Sequence, residues 1–537
     1  MRRWRGNPWA ILVTLSLGFF MTLLDLTIVN IAIPNMISAL DASLDEILWV
    51  VNSYVLVLAV LLITAGRLGD LRGQRTLFAV GVAVFTVASF ACGVAPSATL
   101  LIAFRAVQGL GAALLMPQTM ALVIATFPAQ RRGTALGVWG GVAGLATVAG
   151  PTVGGLLVTA ASWRWIFIVN VPIGVLVLVM TFAIIPDTRM EREHRLDIPG
   201  VLIATAGLFC LTFALIEGQR YSWGAGILLL FVASAALLVL FLLQQRGRQD
   251  REPLVPFSLF RDRNFAVINA IAALVSVGIL GFYLPLTIYL QSVLGFSALK
   301  AGLILAPSSI LAMVLSPISG RMSDVIGGKY ILMTGLTAFG LGATLLTLQT
   351  HVGSSWPAFL PGILLLGIGF GGIFAPMATE AMRSVPANLA GAASGVNNTV
   401  RQVGSVVGSA AVGAVLQSRL ASTLREEAVS RSAQLPSDVR PGFVAGFAKS
   451  AKGGVDVGSS QQATAHAGLP AAVAAQVQKV GSDVFQNAYV RAMHPTLVLP
   501  IAAMCLAAAL CLLAQRHPSG AVASRADSSI GQPRLDS

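Results

Sequence analysis

Apolar residues run through this chain in long blocks, interrupted at intervals by short clusters of Arg, Gly, Pro and Asp. A helix needs about 20 apolar residues to cross the hydrocarbon of a bilayer. Fourteen blocks are long enough: 9–34, 47–65, 76–95, 98–124, 134–160, 164–185, 197–216, 224–243, 265–291, 299–318, 329–349, 357–380, 391–416 and 494–514. The pattern predicts an all-α polytopic membrane protein with fourteen spans. The polar interruptions supply its orientation. Alternate loops carry Arg67, Arg72, Arg75, Arg131, Arg132, Arg189, Arg192, Arg195, Arg246, Arg248, Arg251, Arg261, Arg263, Arg321, Lys329 and Arg383, whereas the short loops between them hold only Arg164, Arg220 and Lys300. Basic loops stay on the cytoplasmic side, so both termini are expected there.

Composition agrees. Of 537 residues, 56% are hydrophobic and 11% charged, against roughly 25% charged in a soluble domain. The net charge of +13 raises nucleic acid as a partner, but its confinement to short loops between apolar blocks argues against one. The five histidines show no metal-ligand spacing. Cys92, Cys210, Cys505 and Cys511 all fall inside apolar blocks, as small packed residues would. The opening "MRRWRG" before an apolar block resembles a signal peptide. The block is too long and lacks a small-residue cleavage site, so it reads as a retained first helix.

A repeat divides the chain. "GRLGDLRGQR" (66–75) follows the second block and "GRMSDVIGGK" (320–329) follows the tenth. Equal placement in two six-helix halves gives residues 1–190 and 251–515, with an inserted helix pair at 191–250 and a cytoplasmic tail at 516–537. Parallel halves of this kind are a transporter architecture, with the substrate held near the midplane where they meet. The polar segment 417–493 stands apart, on the outer side. Within it Val473, Val477, Val480 and Val484 fall on one helical face, which suits either a cap over the outer mouth or a docking helix.

Few charges lie inside the blocks. An arginine in hydrocarbon costs roughly 2.5–3.5 kcal/mol even on the mildest scale, so it should face a partner or water. At ~1.5 Å per residue, Arg105 in "RAVQGLGAA" lies about 10 Å below the outer surface and Asp25 in "LLDLTIVNIAIP" about 13 Å below it. The two are placed to pair. "GVWGGVAGLATVAGPTVGG" spaces glycines along one helix, ending in G-P-x-x-G-G, and small residues at such spacing let helices pack backbone to backbone. "NNTVRQVGSVVG" puts Arg401 near mid-membrane beside Asn398, either as a cavity charge or paired with a backbone carbonyl. Glu380 closes the twelfth block as a solvated interfacial charge. "GIGFGG" (367–372) echoes a dinucleotide fingerprint, but no strand precedes it, so it reads as packing glycine.

With these motifs the chain resembles the major facilitator superfamily, specifically its fourteen-helix branch of drug:proton antiporters, over nearly its whole length. The resemblance implies two six-helix bundles plus two inserted helices. It makes Gly66, Arg67, Asp70, Arg72, Gly73 and Arg75 a cytoplasmic latch that breaks and reforms as the halves rock. It makes Gly137, Gly150, Pro151, Gly154 and Gly155 the antiporter helix motif, with Ala146 where the family usually has glycine. Asp25 and Arg105 become the proton-coupling pair. Asn30, Asn52, Gln108, Tyr283, Tyr289, Asn398 and Arg401 are candidates to line a cavity. Some relatives carry an acid where Asn52 stands, and its absence speaks against strongly cationic cargo.

The implied function is proton-coupled export of lipophilic small molecules across a bacterial plasma membrane. Its partners are that cargo, protons and membrane lipid. No phosphate-binding GxxxxGK[ST] loop is present, and nothing suggests an enzyme or a cofactor. A lipid exporter of the same fold, or a non-transporting sensor or scaffold, are the alternatives.

Overall fold

The structure, a computed structural model, describes residues 4–187, 196–250, 253–450 and 470–515. Among them are fourteen helices of 20 residues or more and no strand. They are α1 (Pro8–Leu40), α2 (Leu44–Arg72), α3 (Gln74–Gly93), α4 (Ala98–Thr126), α5 (Arg132–Ala160), α6 (Trp165–Ile184) and α7 (Ile198–Glu217). There follow α8 (Ala225–Arg246), α9 (Arg263–Ile288), α10 (Ala298–Ile326), α11 (Lys329–Gln349), α12 (Leu360–Met382), α13 (Ala390–Ser432) and α14 (Ala471–Leu510). Local chemistry sets their ends. Asn7 caps α1 with Pro8 in the first turn, Ser43 and Glu46 form a reciprocal capping box on α2, and Gly73 ends α2 at φ +95°. Gly327 ends α10 at φ +89°, the same place in the repeat. A side chain is strained at both.

Helices α1–α6 form one bundle and α9–α14 the other. The two meet chiefly where α5 crosses α10 and where α2 crosses α13. The inserted hairpin α7–α8 lies across the second seam, where Leu208 packs with Leu56 and Val60 of α2 and with Val403 of α13. Its base is tied by Asp197, which caps Gly200 and accepts bonds from Gln244 and Gln245. The rest of the hairpin is largely exposed leucine, valine and phenylalanine, as a lipid-facing element requires.

The dinucleotide-like glycines are packing residues: Gly369 lies against Phe339, and Gly372 against Gly335.

The outer segment differs from the sequence expectation. Instead of a polar loop from 417 to 493 standing apart from the spans, α13 continues unbroken to Ser432, and α14 already begins at Ala471. Leu416, Leu420, Leu424 and Ala428 are buried with Val477, Val480, Val484 and Ala488. Arg491 bridges Glu426 and Glu427 at 3.2 and 2.8 Å. Two membrane helices thus extend together as an antiparallel stalk, and the valine stripe is its seam.

Candidate functional site

Asp25 lies at the centre of the first bundle with no exposed surface. Its carboxylate pairs with Arg105 of α4. Gln108, one turn along α4, donates to the same carboxylate at 2.9 Å and accepts from Arg105 at 2.7 Å. Asn170 of α6 adds a bond at 3.4 Å, and both amides donate to Ser89 of α3 at 3.1 Å. Arg105 also donates to the Val50 carbonyl at 3.0 Å, and its guanidinium stands 4.4 Å from the Tyr54 ring centre. Arg105, Gln108, Asn170, Ser89 and Tyr54 are as fully buried as the acid. The network joins five helices of one half. Charge-assisted bonds in so dry a setting are strong, and removing any one partner leaves others unsatisfied.

The two repeat loops build a second feature. Asp70, near the end of α2, accepts from the backbone N–H groups of Gly391 and Ala392 at 2.8 and 2.7 Å. Those groups are the first-turn donors of α13, in the opposite half. Asp324, its counterpart in the repeat, accepts from Gly133 and Thr134 N–H at 2.7 and 2.8 Å and from the Thr134 hydroxyl at 2.9 Å. Those belong to the first turn of α5. A helix start carries unpaired donors and positive potential, so each carboxylate is held by both. A Cβ on Gly66 would overlap the Gly391 carbonyl, and one on Gly137 would come 2.6 Å from the Ser316 carbonyl. The halves therefore touch backbone to backbone on the arginine-rich face. On the opposite face Asn30 is exposed and Gly155 has nothing within 4 Å of an added Cβ.

A family model for the Major Facilitator Superfamily matches residues 15–409. The chain belongs to that superfamily. It is a multi-pass membrane transporter and not an enzyme. The multidrug resistance protein Stp of Mycobacterium tuberculosis is 37% identical over 77% of this chain and 76% of its own. The tetracenomycin C resistance and export protein of Streptomyces glaucescens is 37% identical over 78% of this chain and 77% of its own. Among solved structures, the proton:xylose symporter XylE shares the fold at a TM-score of 0.55 and 13% identity, covering 75% of this chain and 87% of that one.

Within this superfamily fold the remaining sequence candidates separate. Of the first repeat loop, Gly66 and Asp70 reach across the halves. Arg72 is exposed, and Arg75 turns back within its own half to the Phe182 carbonyl at 3.2 Å and to Asp187 at 3.8 Å. Lys329, at the Arg75 position of the second loop, likewise caps its own half, donating to the carbonyls of Leu512 and Ala514 at 2.9 and 2.7 Å. Arg67 is buried beside Asp70. Along α5, Gly150 and Gly154 press on Thr27 and Ile28 of α1, whereas Gly155 faces open space. Pro151 lies within the same helix.

Three cavity candidates line nothing open. Gln108 turns into the charge network. Tyr289 is buried, its hydroxyl donating to the His351 carbonyl at 2.7 Å. Asn398 is buried and donates to the Ser394 carbonyl one turn back at 2.9 Å. Asn30, Asn52, Tyr283 and Arg401 keep accessible surface. Glu380 is not a solvated interfacial charge. It is buried, accepts from Gly328 N–H at 2.7 Å, and pairs with Arg383 at 3.0 Å.

Five site residues escape the sequence reading: Asp324, Thr134, Ser89, Tyr54 and Asn170. The repeat already aligned Asp324 with Asp70. Asn170 lies in "SWRWIFIVNVPIG", where the one charge, Arg164, sits at the start and nothing marks the amide as the partner of a buried acid.

Proposed function

We propose that this protein is a proton-coupled antiporter that exports lipophilic small molecules, drugs and antibiotics among them, from the cytoplasm of a bacterium, with its arginine-rich face inward. The observation that carries the reading is Asp25, an ionisable group sealed inside one half at mid-membrane depth and held by a cation and two amides. An ionisable side chain inside a membrane bundle is costly to keep there and marks an ion or proton path, so this acid is the group on which coupling would turn. The names of Stp and of the tetracenomycin C exporter support the cargo class.

The geometry offers a route from proton to gate. Two residues past Asp25, Thr27 donates to the Ala146 carbonyl of α5 at 3.3 Å, and Gly150 packs on the same side chain. Helix α5 in turn carries Gly133 and Thr134, the groups that Asp324 grips. A change in the charge of Asp25 that shifts α1 therefore bears on the clamp between the halves. Proton and cargo take turns, each favouring the state that the other leaves.

The test is transport in proteoliposomes with an imposed proton gradient, using tetracenomycin C as cargo. Gradient-dependent accumulation with counter-movement of protons is expected. Accumulation that ignores the gradient would refute the coupling.

A further inference from the structure

Arg401 stands apart from every other charge inside the bundle. It lies eleven residues into α13, about 16 Å from the arginine-rich end at ~1.5 Å per residue. That is beyond Gly391 and Gly395, where the backbones of α13 and α2 meet. Residues 394, 398 and 401 fall on one face of α13, and Ser394 on that face bonds the Pro117 carbonyl of the other half at 2.9 Å. Arg401 thus sits where the contact between halves gives way.

Its one partner among the described residues is the Phe374 ring of α12, 5.4 Å away. Among the described residues no carboxylate or carbonyl takes its five N–H donors. The acids inside the bundle are all engaged: Asp25 by Arg105, Asp70 and Asp324 by helix starts, and Glu380 by Gly328 and Arg383.

Phe374 begins a row of rings. It stacks on Phe370 at 5.8 Å with planes 11° apart, and Phe370 meets Tyr283 of α9 at 5.9 Å. All three rings are half-buried, as is Arg401. An added Cβ on Gly140 of α5 would lie 3.3 Å from Phe374, so the foot of the row is at the seam between halves. A row of aromatic faces with a free guanidinium at its foot suits a flat apolar body bearing an acid. The rings would stack on it, and the fork would take a carboxylate through two parallel bonds, or a phenolate oxygen through two converging ones.

We propose that Arg401 is the anion-recognition residue of the transport site and that the exported cargo is an aromatic, lipophilic acid. This rests on the reading that the space between the halves carries the cargo.

The experiment is equilibrium binding to the full-length protein in nanodiscs at pH 8, read by fluorescence polarisation. The probes are fluorescein and rhodamine 123, which share a xanthene core but carry opposite charge. Wild type is expected to bind fluorescein about tenfold or more tightly than rhodamine 123. Arg401→Gln should weaken fluorescein about tenfold or more while leaving rhodamine 123 unchanged. Arg401→Lys, which keeps the charge but not the fork, should fall between. Should Arg401→Gln fail to elute as a monodisperse protein, the lysine variant decides, with several-fold weaker fluorescein binding expected. The proposal is overturned if wild type prefers rhodamine 123, binds the two equally or binds neither. Undiminished fluorescein affinity in the folded glutamine variant, or in the lysine variant where that one decides, overturns it too. No gradient is applied, so failure here is separate from failure of proton coupling.

Discussion

Asp70 and Asp324 occupy the same place in two repeats, and each grips the first turn of a helix belonging to the other half. The contact between the halves on the arginine-rich face is thus made twice, once on either side of the seam, by the same chemistry.

Asp70→Asn and Asp324→Asn should therefore act alike. Each keeps the shape of the side chain but removes a negative charge worth about 1 kcal/mol at a helix start. Each should shift the balance about fivefold toward the state open on the arginine-rich face. The readout is cysteine labelling from each side of the membrane, with expression unchanged. Wild-type labelling in Asp324→Asn would break the equivalence of the two clamps.

Along α5 two glycines make opposite predictions. A side chain at Gly150 collides with Thr27, whereas one at Gly155 meets nothing. Gly150→Leu should abolish export, with overpacking costing about 1–3 kcal/mol. Gly155→Leu and Ala146→Gly should export normally. Dye efflux from cells, normalised to membrane-inserted protein, separates them.

For the buried network, Asp25→Asn should insert and bind cargo yet fail to concentrate it against a gradient. It also orphans a buried arginine, at about 3–5 kcal/mol, so its melting temperature should drop. The double variant Asp25→Asn/Arg105→Gln should recover stability without recovering gradient-driven export. Full export by Asp25→Asn would remove Asp25 from the proton path.

On the stalk, Val480→Asp puts an unpaired charge into the seam between α13 and α14. Limited proteolysis should then cut within 417–432 and 471–493 much faster than in wild type, while the membrane-embedded part stays resistant.

The base of the inserted hairpin offers a pH prediction. Burial pushes the Asp197 carboxyl up, but bonds from Gln244, Gly200 and Gln245 and the charge of Arg248 outweigh it and hold it below its ordinary value. A lowered value means that the stabilisation is present above the unfolded pKa of about 3.9 and is lost as pH falls through the folded one. Hydrogen exchange at the start of α7, corrected for intrinsic rate, should be protected at pH 6 and rise below about pH 4. Protection that persists at pH 2 would contradict this.

The sequence makes much of this legible because lipid forces it to. Each span must be long, apolar and helical, so its position shows in hydropathy alone, and the depth of Asp25 and Arg105 follows from counting residues. What Asp70 and Asp324 hold is invisible there, because a backbone N–H has no signature in the choice of residue. Gln108 is hidden for a related reason: the sequence makes an amide on α4 as plausible facing water as facing a buried acid, and only packing decides. The stalk was lost at the membrane boundary. Arg419, Arg425 and Glu426 end the apolar run, yet Leu416, Leu420 and Leu424 carry the helix on.

The unbroken length of α13 has a mechanical consequence. At ~1.5 Å per residue its 43 residues form a rod of about 64 Å, gripped near one end by Asp70. If the bundles rotate by about 15°, the scale of rigid-body turns about packed interfaces, the far tip sweeps an arc of about 17 Å. The stalk is then a pointer that magnifies small movements at the inner gate. A spin label near Ser432, paired with one on the opposite half, should register the transport cycle as a change in distance several times larger than any label at the clamp itself.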